Sequence, residues 1–248
     1  MTNYCFATLA IGTSYNYKVR TMIDCVTTLT TGDMVVITDD VQELQEHLDY
    51  LNTETDISDR VKLISIEGVT DENVWYDSRK FNYNLKRLPV TVANASGDYD
   101  MIIHSDADTL FIYWNEEEFQ DFIRETDAGL IARLRNRPSE EAGLHWIIED
   151  KSNKLSIDMN EIKARMPIEV YMFFKPKAKN FDLFLREWKD ITDRCYMRGI
   201  DPFIEALEIC YALDRSKMKS QDILSFIRKY KTLNNLRYLH HDKIMKII

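Results

Sequence analysis

The chain has 248 residues, 45% hydrophobic and 29% charged, with 7 Gly, 5 Pro and a formal net charge of −9. That composition excludes a disordered or collagen-like chain, and the length suits one large domain with a full core. No apolar run of 18 residues and no basic-then-apolar N-terminus is present, and Cys5, Cys25, Cys195 and Cys210 form no CxxC pair, so the sequence predicts a cytoplasmic protein with reduced thiols, no membrane span and no cleaved secretion signal.

In chain order, residues 4–11 (Tyr-Cys-Phe-Ala-Thr-Leu-Ala-Ile) read as a strand ending at Gly12. Residues 17–30 predict a helix, 34–38 a buried strand closed by Asp39-Asp40, 41–51 a helix and 61–66 a strand. Residues 77–95 read as a long helix broken or bent near Pro89, and 100–104 as another buried strand. Beyond it, 119–125 predict a helix and 128–132 a strand, while the polar stretch 134–160 reads as a mobile or acceptor-facing segment. A strand over 168–175 stops at Pro176, and helices over 180–196, 201–213 and 220–231 lead into a short basic tail. Apolar strands spaced by helices need crossover connections, so the expected fold is α/β with a mainly parallel sheet.

Charge is unevenly spread. Residues 215–248 hold nine Lys/Arg and two acids, a local +7, which leaves −16 for residues 1–214. A basic tail on an acidic body suits an anionic partner such as a phosphate or nucleic acid; a solvated helix face accounts for it equally well.

The most informative segment is Asp100-Met101-Ile102-Ile103-His104-Ser105-Asp106-Ala107-Asp108-Thr109-Leu110-Phe111. An apolar strand runs into carboxylates at i and i+2 and then returns to apolar residues. Two such anions repel each other and lose hydration, and a hard divalent cation compensates both while leaving positions for diphosphate oxygens and water. Ligands of open α/β sheets also bind beyond the carboxyl ends of strands. The bland alternative is a solvated turn or an Asx cap.

This segment resembles the DxD loop of nucleotide-sugar glycosyltransferases with the GT-A fold, a Rossmann-like central sheet flanked by helices. The start of the chain agrees: Thr8-Leu9-Ala10-Ile11-Gly12-Thr13-Ser14-Tyr15 resembles the first strand and nucleotide loop of the glycogenin-like branch. The resemblance implies that Thr8, Ala10 and Gly12 offer backbone to a base edge, that Tyr15 stacks on the base, and that Asp39 meets the base or ribose. Core packing is the alternative for Tyr15, and a helix N-cap the equally weighted one for Asp39 or Asp40. It further implies a basic residue ahead of the DxD strand, for which Arg79 and Lys86, seven apart, are favoured. Asp106 and Asp108 would hold Mn²⁺ or Mg²⁺, with a late His as third protein ligand. The sequence offers His240 and His241 side by side, and Lys243 follows them too closely for the relatives' His-x-x-Gly-x-x-Lys spacing.

Near the far end, Asp201-Pro202-Phe203-Ile204-Glu205 resembles the acidic helix start that faces the donor anomeric carbon. Glu205 is the expected catalytic carboxylate. Asp201 is a second candidate that Pro202 at the first helical position would also explain as an N-cap. Glu149-Asp150 resembles another acidic signature but precedes the strand it should follow. The resemblance thus implies a single GT-A-like domain over 1–248, with a nucleotide-sugar-binding half at 1–111 and an acceptor-side half and tail at 112–248. It also implies transfer of a sugar from a UDP-sugar donor to an acceptor hydroxyl. Size and style resemble tailed-phage enzymes that sugar hydroxymethylated bases, so modified duplex DNA is one expected acceptor, in a host cytoplasm; a polysaccharide or lipid-linked glycan is the rival. A nucleotidyltransferase and a non-catalytic nucleotide-sugar-binding module are the alternatives from other classes.

Overall fold

A computed structural model describes residues 2–53, 57, 59–69, 83–110, 113–141, 145–158, 161–198, 200 and 205–234. The strands are β1 (Tyr4–Ala10), β2 (Asp33–Thr38), β3 (Val61–Ser65), β4 (Met101–Ser105), β5 (Leu130–Leu134), β6 (Pro167–Phe174) and β7 (Ser220–Asp222). The helices are α1 (Thr13–Leu29), α2 (Val41–Asn52), α3 (Arg87–Ser96), α4 (Glu116–Glu125), α5 (His145–Leu155), α6 (Phe181–Met197), α7 (Glu205–Ser216), α8 (Leu224–Ile227) and α9 (Lys231–Asn234).

All seven strands among the described residues form one sheet in the order β3-β2-β1-β4-β6-β5-β7. β1 runs parallel to β2 and β4, β2 to β3, and β5 to β7, whereas β6 is antiparallel to both β4 and β5. The carboxyl ends of every strand but β6 therefore meet one edge of the sheet. The α/β architecture, with a Rossmann-like, mainly parallel sheet flanked by helices, is the one the sequence predicts.

Alternate residues of β1 enter two cores. Cys5 and Ala7 join one with α3, α6 and α7, and Phe6 joins the other with α1, α2 and α4. Because helices cover both faces, the central strands read as continuous apolar runs instead of alternating ones.

Three predicted elements differ. The described part of the 77–95 helix is a 3₁₀ turn at 83–86 followed by α3 from Arg87. Pro89 sits in the first turn of α3, where a missing N–H costs nothing, so it breaks no helix. Residues 134–160 contain α5, whose Ile147, Ile148 and Leu155 are buried in the core. Residues 220–231 hold β7 and the one-turn α8 instead of a long helix, because Leu130, Ile131 and Ala132 of β5 pair with Ser220, Gln221 and Asp222. A free sheet edge outweighs the local helix preference there.

Candidate active site at the rim of the sheet

The rim is built first by the turn after β1. Gly12 caps α1 at φ 86°, ψ 148°, a conformation that side chains rarely adopt. Its N–H donates to both Asp39 carboxylate oxygens at 3.0 Å, and Asn16 donates its Nδ2 to Asp39 Oδ1 at 3.2 Å. Asn16 Oδ1 in turn accepts from Thr38 Oγ1 at 3.0 Å. Asp39 thus fixes the β1–α1 turn, while the N-cap of α2 is Asp40, which accepts from Glu43 N at 3.0 Å. Thr8 is fully buried and donates its hydroxyl to Ser105 O at 2.8 Å, tying the ends of β1 and β4 together. Ala10 is buried too, so Thr8 and Ala10 present no side chain to solvent.

Directly after β4, Thr109 N–H donates to Asp106 O at 3.0 Å and folds residues 106–109 into a turn. Ala107 is buried in the core beneath that turn. Each carboxylate faces a lysine. Lys86 Nζ lies 2.9 Å from Asp106 Oδ1, and Lys18 Nζ lies 3.7 Å from Asp108 Oδ2. Lys86 is 5% exposed and Asp108 6% exposed. Charges this dry persist only beside an opposite charge, so the pairing is a condition of the geometry. Lys18 also lies over the Tyr15 ring, 5.2 Å from its centroid, and Tyr15 itself packs half-buried against the core. Tyr15, Lys18 and Asp108 therefore form one continuous line from the β1–α1 turn to the turn after β4.

Behind the turn lies His104, 1% exposed, whose Nδ1 is 3.2 Å from Ala7 O. A carbonyl only accepts, so Nδ1 carries the proton, and among the described residues buried Nε2 has no hydrogen-bond partner. Burial foremost, and then the nearby Lys86 charge, push the His104 pKa down to about 3, against the weaker pull of Ala7 O. The imidazole is neutral at physiological pH. Tyr171, level with Ser105 across β4 and β6, is raised by burial, with Arg133 opposing.

The sequence-predicted residues thus divide. Thr8, Ala10, Gly12, Tyr15, Asp39, Lys86, Asp106 and Asp108 all lie at the carboxyl ends of β1, β2 and β4 or on the chain flanking them. Glu205 opens α7. Arg79, Asp201, His240, His241 and Lys243 lie outside the described residues. Lys18 and His104 were not assigned roles from sequence. The i, i+3 spacing of Tyr15 and Lys18 on a helix is the signal that could have found Lys18.

No family model matches this chain, and no curated protein matches it in sequence. Among solved structures it is similar to a galactosyltransferase, LgtC, crystallised with donor and acceptor sugar analogues. Identity is 10%, the TM-score is 0.47, and the match covers 88% of this chain and 73% of that one.

A divalent ion can be judged against the residues present. Asp106 and Asp108 supply hard oxygen donors of the type Mn²⁺ and Mg²⁺ take, and Lys86 and Lys18 balance the carboxylate charge that such an ion would neutralise in their place. Among the described residues no third His, Cys, Asp or Glu gathers with them, so the rest of the shell would come from donor oxygens, water or the predicted His240 or His241. On donor chemistry the pair fits. No described helix is long and apolar enough to cross a membrane.

Proposed function

We propose that this chain is a metal-dependent, GT-A-type glycosyltransferase that moves a sugar from a uridine-diphosphate sugar to an acceptor hydroxyl. The observation that carries the reading is the convergence of Tyr15, Lys18, Lys86, Asp106 and Asp108 on one rim. An aromatic ring, two cations and two carboxylates there match the base, diphosphate and metal of one ligand.

In this reading the base stacks on Tyr15 and the backbone of Thr8, Ala10 and Gly12 meets its edge. Asp39 acts by holding that backbone, through its bonds to Gly12 and Asn16. Asp106 and Asp108, with His240 or His241, hold the ion. When bound, it neutralises the diphosphate and stabilises the leaving group. Lys18 and Lys86 turn to diphosphate oxygens once their carboxylates are otherwise occupied, with Arg79 or Lys243 sharing that task. The acceptor oxygen bonds to the anomeric carbon as the bond from that carbon to the diphosphate breaks. Glu205 is the carboxylate assigned nearest that carbon, with Asp201 as its alternative. It takes the acceptor proton if configuration inverts, or steadies an oxocarbenium-like centre if it is retained. The acceptor in this reading is a hydroxyl on modified duplex DNA, such as 5-hydroxymethylcytosine, supported by the concentration of cations in residues 215–248 of an otherwise acidic chain.

A panel of nucleotide sugars screened by thermal shift with and without Mn²⁺ tests the donor, because a ligand bound by the native state raises its stability. The expected result is a Mn²⁺-dependent shift with UDP-sugars that Asp108→Asn abolishes, and release of free sugar plus UDP on prolonged incubation. An unchanged shift in Asp108→Asn refutes the ligand role, and release of pyrophosphate refutes glycosyl transfer.

A further inference from the structure

Beyond the rim the chain carries a second feature that the donor site does not use. β6 is antiparallel to both its neighbours, and His104 of β4 and Ala132 of β5 both pair with Met172. Residues after Ala132 therefore run past the row of His104 toward the edge that bears Asp106. The register shifts between Ala132 and Leu134, and pairing then continues: Leu134 opposite Pro167, Arg135 N to Met166 O at 2.8 Å, and Met166 N to Asn136 O at 3.2 Å. The result is a two-stranded ribbon that rises from the rim beside the DxD turn.

That ribbon is densely cationic. Arg133, Arg135 and Arg137 are exposed on one side of the ribbon and Arg165 on the other, with exposed Lys163 just beyond the bend at Ala164, while Leu134, Ile162 and Met166 are buried. Arg165 is spent on the ribbon itself: it donates to Leu134 O at 2.7 Å and Arg135 O at 2.8 Å and pairs with Asp222 at 3.2 Å. Among the described residues no carboxylate lies within ion-pair distance of the side-chain nitrogens of Arg133, Arg135, Arg137 or Lys163, although Glu140 Oε2 accepts from the Arg137 backbone N–H at 3.1 Å. In a chain of net charge −9, four neighbouring cations that make no ion pair among the described residues are a positive potential directed outward.

We propose that this ribbon is the docking surface for the phosphate backbone of the nucleic-acid acceptor. Alternate residues of an extended strand are about 7 Å apart, a step that lets successive cations meet successive phosphates of one strand. Among the described residues 133–137 and 161–167 no large apolar side chain is exposed to enter a lipid surface, which favours a polyphosphate over a membrane. Trp146, 69% exposed on α5, stands close by, since α5 packs on the 138–140 turn that follows Arg137. Its indole offers a face to a base turned out of the stack. The ribbon holds the duplex at the rim while the DxD turn holds the donor. Only the naming of the duplex as acceptor rests on the donor reading; the docking itself does not.

Fluorescence anisotropy with a 16-base-pair DNA duplex tests this on the full chain. Four phosphate contacts predict that affinity falls roughly 100-fold between 50 and 200 mM salt. The variant R133E/R135E/R137E/K163E should lose duplex binding at 50 mM salt, and the corresponding alanine variant should flatten the salt dependence. Lys179→Glu, exposed beyond the carboxyl end of β6 at the opposite edge of the sheet, should bind as the wild type does. Duplex binding that survives charge reversal, as it would if residues 235–248 alone held the DNA, overturns the proposal. So does tighter binding to vesicles containing phosphatidylserine than to the duplex. Donor turnover is read separately: ribbon-dependent binding without nucleotide-sugar turnover sinks the glycosyltransferase reading alone, and turnover without duplex binding sinks the ribbon alone.

Discussion

Nζ of Lys86 lies 2.9 Å from Oδ1 of Asp106, and the lysine is almost wholly buried. The cation comes from the turn that leads into α3 and the anion from the turn after β4, so the pair ties two segments across the rim. It also gives Asp106 a resident countercharge in the absence of any ligand.

Lys86→Met should therefore lower stability by about 1–3 kcal/mol, less than a fully buried pair would because Asp106 is partly solvated. A divalent ion competes with Lys86 for Asp106. Added Mn²⁺ should raise the melting temperature of Lys86→Met more than that of the wild type, and thermal unfolding with and without the ion checks this.

Gly12→Ala should cost about 1–3 kcal/mol, because its positive φ strains any side chain although the space beside it is open. The same strain pulls the Gly12 N–H from Asp39, so donor affinity should fall with stability. Chemical denaturation and calorimetric titration of the UDP-sugar read the two effects side by side.

His104 gives a pH dependence whose sign is fixed by its depressed pKa. The unfolded chain takes up the proton at the ordinary value of 6.5, whereas the folded chain resists until about 3. The penalty is absent above pH 6.5 and grows as pH falls toward 3, at up to about 1.4 kcal/mol per pH unit. Melting temperature followed from pH 7.5 to 4.5 should fall in the wild type and fall less in His104→Gln.

Lys151 and Glu208 form a buried pair between α5 and α7, with Nζ and Oε1 3.9 Å apart and both residues at most 2% exposed. Thr192 donates to Glu208 Oε2 at 2.9 Å, and burial, helped by Glu208, pushes the Cys195 thiol up to about 12. Removing one partner strands the other's charge, so Lys151→Met should cost about 3–5 kcal/mol, whereas Lys151→Met with Glu208→Leu should recover most of the loss. A double-mutant cycle by urea denaturation measures the difference.

Much of the rim was legible in the residue order. The apolar run into Asp106-Ala107-Asp108 marked a strand and its ligand-facing end, and Gly12 marked the turn after β1, because both signals are local. Lys18 was not legible. Its role depends on α1 folding back so that its second turn brings Lys18 to Asp108 in the turn after β4, a contact between residues 90 apart in sequence. The ribbon was hidden for a related reason. Residues 134–160 read as irregular because their order comes from pairing with residues 165–167 and from burial of α5.

By itself the sequence determined the alternation of strand and helix, and with it a parallel sheet whose carboxyl edge carries paired acids. Hydrophobic periodicity and turn chemistry act over a few residues and survive in a linear reading. Only the tertiary structure decided which charges meet. It set Lys86 against Asp106 and Lys18 against Asp108, left the Arg133, Arg135, Arg137 and Lys163 side chains without an ion pair among the described residues, and turned 220–222 into an edge strand. Those outcomes depend on register and on which chain edge remained open, quantities that exist only once distant segments are packed.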